Sequence, residues 1–256
     1  MKIILLTISV LVLLFDGFLY TNPDKITTLN YLFNLAYGII FFLGMYAAFI
    51  RSKRFTDKPN LQKSMVFFGL GMFFYGLGLV IWTYYNLVLK IEIPYPSFAD
   101  IAFLIYYPGV FAGIYFLIKS FGGVLTKKLV IEGSLIFLVF FMIIYFFLNQ
   151  TSLGPDVSLG ARYLNIGYTF FDSILIAMSI TILRTEIGIS SHPNILYFVF
   201  GFIILAVADT IFSYRSAVGS YWNGDMSDFL FAVSGFLTSW GILTIPNVSL
   251  NDHSTS

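Results

Sequence analysis

Cysteine is absent from the 256 residues, and only two histidines, His192 and His253, are present. The first absence excludes disulfides, thiolate nucleophiles and Cys-ligated metals. Neither His192, in a short loop, nor His253, in the terminal tail, is placed to build a buried haem or metal site. Charge is scarce as well, at 11% of positions against about a quarter in ordinary soluble domains. Net charge is +1, so there is no global attraction for nucleic acid. The sequence has no His-Glu-x-x-His, Walker or Gly-x-Ser-x-Gly pattern, and no lysine in the middle of the last spans that could carry a retinal Schiff base. It therefore predicts no cofactor, no metal and no catalytic motif.

What the chain has instead is apolar sequence: 58% hydrophobic residues, including thirty Phe and seventeen Tyr, in long unbroken runs. A helix needs about 20 such residues to cross hydrocarbon. Runs fall at roughly 3–20, 29–50, 65–89, 98–118, 129–148, 160–183, 194–217 and 227–245. They are solid rather than alternating, which selects helices over barrel strands. The fold class expected is all-α: a polytopic bundle of eight transmembrane helices, residues 1–247, with a short cytoplasmic tail at 248–256. Asp16-Gly17-Phe18 follows the first run without a small-residue cleavage site, so that run reads as a retained helix.

Orientation follows from Lys and Arg. A cytoplasmic N-terminus places Lys2, Arg51, Lys53, Arg54, Lys58, Lys63, Lys119, Lys127, Lys128 and Arg184 inside. Only Lys25, Lys90, Arg162 and Arg215 then lie outside. Both termini are expected in the cytoplasm, in a multi-pass protein of the cell membrane.

Two stretches read alike. Ala99-Asp100-Ile101-Ala102-Phe103 opens the fourth span and Ser227-Asp228-Phe229-Leu230-Phe231 the eighth. Each follows a span ending in aromatics, Trp82-Thr-Tyr-Tyr85 and Phe212-Ser-Tyr-Arg215. Four spans per unit is an even number, so the halves, about 1–122 and 123–247, would be parallel repeats. Asp100 and Asp228 each fall in a first helical turn, where a carboxylate caps free N–H groups and meets the positive end of the helix dipole.

Charges at bilayer depth mark candidate sites. Asp172 lies mid-way along the sixth span, on a face with Asn165, Tyr168, Thr169 and Ser179 and with Arg162 at its edge. Asp209 lies in the seventh span, on a face with Gly201, Ala206 and Ser213. Glu132 is expected near the inner headgroups beside Lys127 and Lys128. The candidate ligand-binding set is Asp172, Asp209, Arg215, Asp100, Asp228, Arg162, Trp82, Tyr85 and Tyr168, forming a pocket open to the outside with an aromatic rim. The alternative is that Asp172 and Asp209 only join helices by hydrogen bonds and the aromatics form an interfacial belt.

The segment Tyr95-Pro-Ser-Phe-Ala-Asp-Ile-Ala-Phe-Leu-Ile-Tyr-Tyr-Pro108 resembles the fourth helix of an eight-span membrane input module. Such modules stand in front of bacterial diguanylate cyclases and some histidine kinases. Ala208-Asp209 through Ser227-Asp228, and Asp172-Ser173, are similar to its other motifs. The resemblance implies a sensor of a signal within or outside the membrane, here without its output domain. The leading expectation is thus a non-enzymatic sensor or binding module in the lipid bilayer, signalling through a partner protein, with a homo-oligomer left open. An intramembrane lipid-modifying enzyme using Asp172 and Asp209 as acid and base, or a small transporter, are the alternatives.

Overall fold

The computed structural model describes residues 1–155, 157–184 and 194–246. His192, His253 and the tail at 248–256 lie outside the described residues. The elements are α1 (Lys2–Thr21), α2 (Thr28–Ser52), α3 (Pro59–Leu87), α4 (Phe98–Ser120), α5 (Lys127–Leu148), α6 (Leu159–Arg184), α7 (Ile195–Ala217) and α8 (Met226–Thr244). No strand occurs among the described residues. Among the described residues, all eight helices are long and apolar enough to cross a membrane, which makes this a multi-pass membrane protein.

Local chemistry sets the helix starts. The Thr27 and Ser97 side chains cap α2 and α4 in capping boxes with Asn30 and Asp100, and Thr126 and Asp225 cap α5 and α8. One boundary differs clearly from the hydropathy reading. Helix α3 starts at Pro59, six residues before the apolar run at 65, so residues 59–64 are helix rather than loop. Proline is suited to a first helical position because it lacks the N–H that would go unpaired there. Leu61 and Ser64 of this polar first turn are buried against the bundle.

Met1 and Pro246 share one end of the bundle, called here the terminal end. There Arg51 donates to the Leu243 carbonyl at 3.3 Å and to that of Ile245, while Lys2 lies over the Trp240 ring. The opposite, distal end carries the α1–α2, α3–α4, α5–α6 and α7–α8 connections. Helices α2, α3, α4, α7 and α8 form the centre; α1 leans on α2 and α8, and α5 on α6 with a lesser contact to α7.

Lipid tails are as apolar as leucine, so helices in a membrane associate by close packing and polar contacts rather than by escape from water. Glycines provide that approach. A Cβ at Gly109 would sit 3.0 Å from the Gly71 backbone. A Cβ at Gly71 would meet the Tyr106 carbonyl at 3.2 Å and Val110 at 3.2 Å; one at Gly201 would meet the Ser234 carbonyl at 3.3 Å and Thr238 at 2.8 Å. Gly113 faces the Phe68 ring (2.7 Å to an added Cβ) and Gly241 faces Phe198 (2.8 Å). Phe68 and Phe198 stack on each other in the centre, 4.9 Å apart at 18°. Helix α5 is the exception to this tight packing, with only Ile144 and Leu148 buried.

Candidate functional site

A small chamber lies between α2, α3, α4, α6, α7 and α8 in the distal half. Its volume is about 40 Å³, measured as space open to water centres. That is room for about three waters, at roughly 10–15 Å³ each. Three carboxylates line it, Asp100, Asp209 and Asp228, with the phenols of Tyr37, Tyr75, Tyr107, Tyr168 and Tyr221 and the Trp82 indole. Asn34, Leu79, Phe103, Phe212 and Phe231 complete the wall.

Two of the acids are held by helix starts. Asp100, third residue of α4, accepts from the Ser97 backbone N–H at 2.6 Å and from the Tyr168 hydroxyl at 3.0 Å. Asp228, third residue of α8, accepts from the Gly224 N–H at 2.6 Å and from Tyr221 at 3.1 Å, with the Tyr37 hydroxyl at 3.5 Å. Both therefore combine capping with a place on the chamber wall, and the helix dipoles favour their negative charge.

Asp209 and Asp172 are joined differently. The Tyr107 hydroxyl is 2.6 Å from Asp172 Oδ1 and 3.2 Å from Asp209 Oδ2. A phenol carries one hydrogen, so it cannot donate fully to both carboxylates. The shorter contact takes that hydrogen. The longer one is a full hydrogen bond only when Asp209 carries a proton and donates to the phenol oxygen. A proton on Asp209 would thus complete a hydrogen-bond chain from the chamber wall at Asp209 to the deeper, fully buried Asp172. Among the described residues, Asp209 Oδ1 has no hydrogen-bond partner.

The distal side of the chamber is roofed by Asn223. Its Oδ1 accepts from Trp82 Nε1 and Asn34 Nδ2, both at 2.8 Å. Its carbonyl accepts from Asn30 at 3.0 Å, and its amide donates to the Glu92 carbonyl at 3.2 Å. A matching contact on the other side joins Tyr95 to Asn165 at 2.6 Å. Burial pushes the Tyr95 and Tyr221 phenols well above their ordinary range, with nearby Asp100 and Asp228 adding to it respectively. Burial also raises the Asp225 carboxyl, against the opposing effects of Ser227 and Arg215.

Of the residues expected from sequence, Asp100, Asp209, Asp228, Trp82 and Tyr168 come together on the chamber, and Asp172 stands behind it through Tyr107. Three do not. Arg215 pairs with Asp225, at 2.7 Å from Nε to Oδ2, and donates to the Ser220 carbonyl. That ion pair is close but not aligned as a hydrogen bond. Arg162 donates to the Pro155 and Val157 carbonyls and so braces the α5–α6 connection. Tyr85 is half-buried against Tyr84, away from the chamber. Both arginines sit close to carbonyl groups of their own loops, and that local satisfaction keeps them from the site. Glu132 pairs with Arg184 at 3.3 Å rather than with its lysine neighbours. The pocket is a small, partly enclosed chamber, and Asn223 bonds Trp82 and Asn34 across its distal side.

Tyr107, Tyr75, Tyr37, Asn34 and Asn223 were not among the expected ligand residues. One signal for two of them is visible: Asn34-Leu-Ala-Tyr37 and Asn165-Ile-Gly-Tyr168 share the spacing Asn-x-x-Tyr. No group of three or more His, Cys, Asp or Glu among the described residues converges to hold a metal. No family model, curated protein or solved structure matches the chain.

Proposed function

We propose that this protein is a sensor or binding module of the cell membrane. Its chamber takes up a small ligand or a proton, and its helices carry the change to a partner protein at the terminal end, taken as cytoplasmic. The observation that carries this reading is the Asp209–Tyr107–Asp172 chain, in which one hydroxyl on α4 reaches a buried carboxyl on α6 and a part-buried one on α7. Occupancy or protonation beside Asp209 changes which contact Tyr107 can make, and so biases how α6 and α7 sit against α4. Asp100, Asp228 and the phenols of Tyr37, Tyr75, Tyr168 and Tyr221 are the other titratable groups on that chamber.

The orientation rests on the ten basic residues of the inner set against four outside. A parallel 4+4 repeat is part of the same reading, and several coincident positions support it. Tyr37 and Tyr168, each the tenth residue of its helix, approach Asp228 and Asp100, each the third residue of its own. Asn34 bonds Asn223 as Asn165 bonds Tyr95. Gly71 and Gly113 meet Tyr106 and Phe68 as Gly201 and Gly241 meet Ser234 and Phe198. The Phe68–Phe198 stack then lies where the axis between halves would pass. The halves differ where the chemistry is: Tyr107, Asp172 and Asp209 stand opposite Gly235, Phe41 and Leu79.

Because the chain lacks cysteine, site-directed labels are clean. Thr56→Cys and Val124→Cys place spin labels on two exposed connections at the terminal end. In nanodiscs the distance distribution should shift between wild type and Asp209→Asn, and Tyr107→Phe should abolish its dependence on pH. Identical distributions in all three proteins at every pH would sink the sensor reading. Impermeant thiol reagents should reach Thr56→Cys from the cytoplasmic side only.

A further inference from the structure

We infer that the chamber is a site for a small organic ammonium ion, a primary amine of two or three heavy atoms. This rests on the binding-module reading and names its ligand class. Three carboxylates, Asp100, Asp209 and Asp228, face the chamber, and no Lys, Arg or His among the described residues lines it. An anionic ligand would meet like charge with no counter-charge, so only a cation or a neutral donor fits.

Donor bookkeeping narrows the class. The wall's strongest donors are already engaged: Tyr168 and Tyr221 donate to Asp100 and Asp228, and the Trp82 indole N–H goes to Asn223. Unused acceptors remain, chiefly Asp209 Oδ1. Tyr75 adds a separate observation. It is 5% exposed, lines the chamber and has a hydroxyl with no hydrogen-bond partner among the described residues. Its ring is fixed by stacking on Phe41, 4.1 Å away at 11°, so the hydroxyl cannot turn elsewhere for a partner. An N–H donor in the chamber would supply one.

Size and wall chemistry separate an amine from a bare metal ion. The carboxylates do not converge as metal ligands do. Apart from Asn34 and Leu79 the remaining wall is aromatic, and ring faces attract an alkylammonium, the more so when it is desolvated. A volume of about 40 Å³ admits methylammonium or ethylammonium and excludes bulky quaternary ions.

The test uses purified full-length protein in nanodiscs, titrated with ethylammonium chloride at constant ionic strength. Thermal unfolding of the wild type is one readout. The other is Trp82 emission in Trp222→Phe/Trp240→Phe protein, in which Trp82 is the only tryptophan left of three. Ethylammonium should raise the midpoint by several degrees and change Trp82 emission saturably. Sodium, potassium and tetraethylammonium chlorides and sodium acetate should do neither. Asp228→Asn, whose amide can still cap α8, should weaken the apparent affinity at least tenfold, and Tyr75→Phe several-fold. The inference falls if no small ammonium ion acts, if potassium or tetraethylammonium acts equally, or if both variants bind as the wild type does. Failure here with the label movement of Asp209→Asn intact leaves the sensor reading standing. Ammonium binding without any label movement removes the sensor reading alone.

Discussion

Replacing Tyr107 by Phe removes one oxygen and leaves the ring. The ring keeps its stacking on Phe171 at 5.3 Å and 23°, and its contact with Phe111. The loss is therefore confined to the 2.6 Å bond with Asp172 and the 3.2 Å contact with Asp209. Hydrogen bonds to charged groups contribute about 1.5–3 kcal/mol in soluble proteins. Between membrane helices, double-mutant cycles average about 0.6 kcal/mol and reach about 1.7. Asp172 is 1% exposed, so the upper part of the membrane range applies. The expected loss is about 1.5 kcal/mol of unfolding free energy. Reversible unfolding in bicelles, run as cycles with Asp172→Asn and Asp209→Asn, reads the two couplings separately. The Tyr107–Asp172 coupling should be about 1–1.7 kcal/mol and exceed that of Tyr107–Asp209. Zero coupling to Asp172, or the reverse order, would refute the proton chain.

Three further outcomes follow from the packing and the loops. Gly109→Ala should lower the unfolding midpoint, because its Cβ meets backbone at 3.0 Å, whereas Gly17→Ala, with nothing within 4 Å, should leave it unchanged or higher; thermal scans of the two variants decide. Asn223→Ala should open the chamber roof and shift Trp82 emission to the red in protein carrying Trp82 alone; an unmoved spectrum would mean that the roof does not exclude water. Asp225 has a folded-state pKa above its unfolded value of about 3.9, so the folded protein binds this proton more tightly and stability falls as pH rises from about 4 through the raised value. The stability of Asp225→Asn relative to wild type should therefore grow over that window, and a difference independent of pH would contradict the assignment.

The eight helices were legible because hydrocarbon demands long apolar runs and this chain supplies them without ambiguity. The start of α3 was not: the turn Asn60-Leu-Gln-Lys63 is polar enough to read as loop, and only Pro59 signals a helical first position. The acids were found because a carboxylate at bilayer depth stands out. Seventeen tyrosines, by contrast, give no means of telling Tyr107 and Tyr75 from the rest. Their roles depend on which ring faces which neighbour, and that is settled by helix rotation and by glycine contacts such as Gly71 on Gly109. Arg215 and Arg162 misled for a related reason. Charge at a helix end looks like ligand chemistry until the loop carbonyls and Asp225 around it are placed.

Helix α5 turns the choice of solubilising medium into a structural variable. With Val130, Ile131, Leu135, Leu138, Val139, Met142, Ile143, Phe146 and Phe147 all facing outward, acyl chains replace neighbouring side chains along most of its length. A short-chain detergent that fills this flank badly would loosen α5 from α6 before it disturbed the glycine-locked centre. Preparations differing only in surfactant would then differ first at α5.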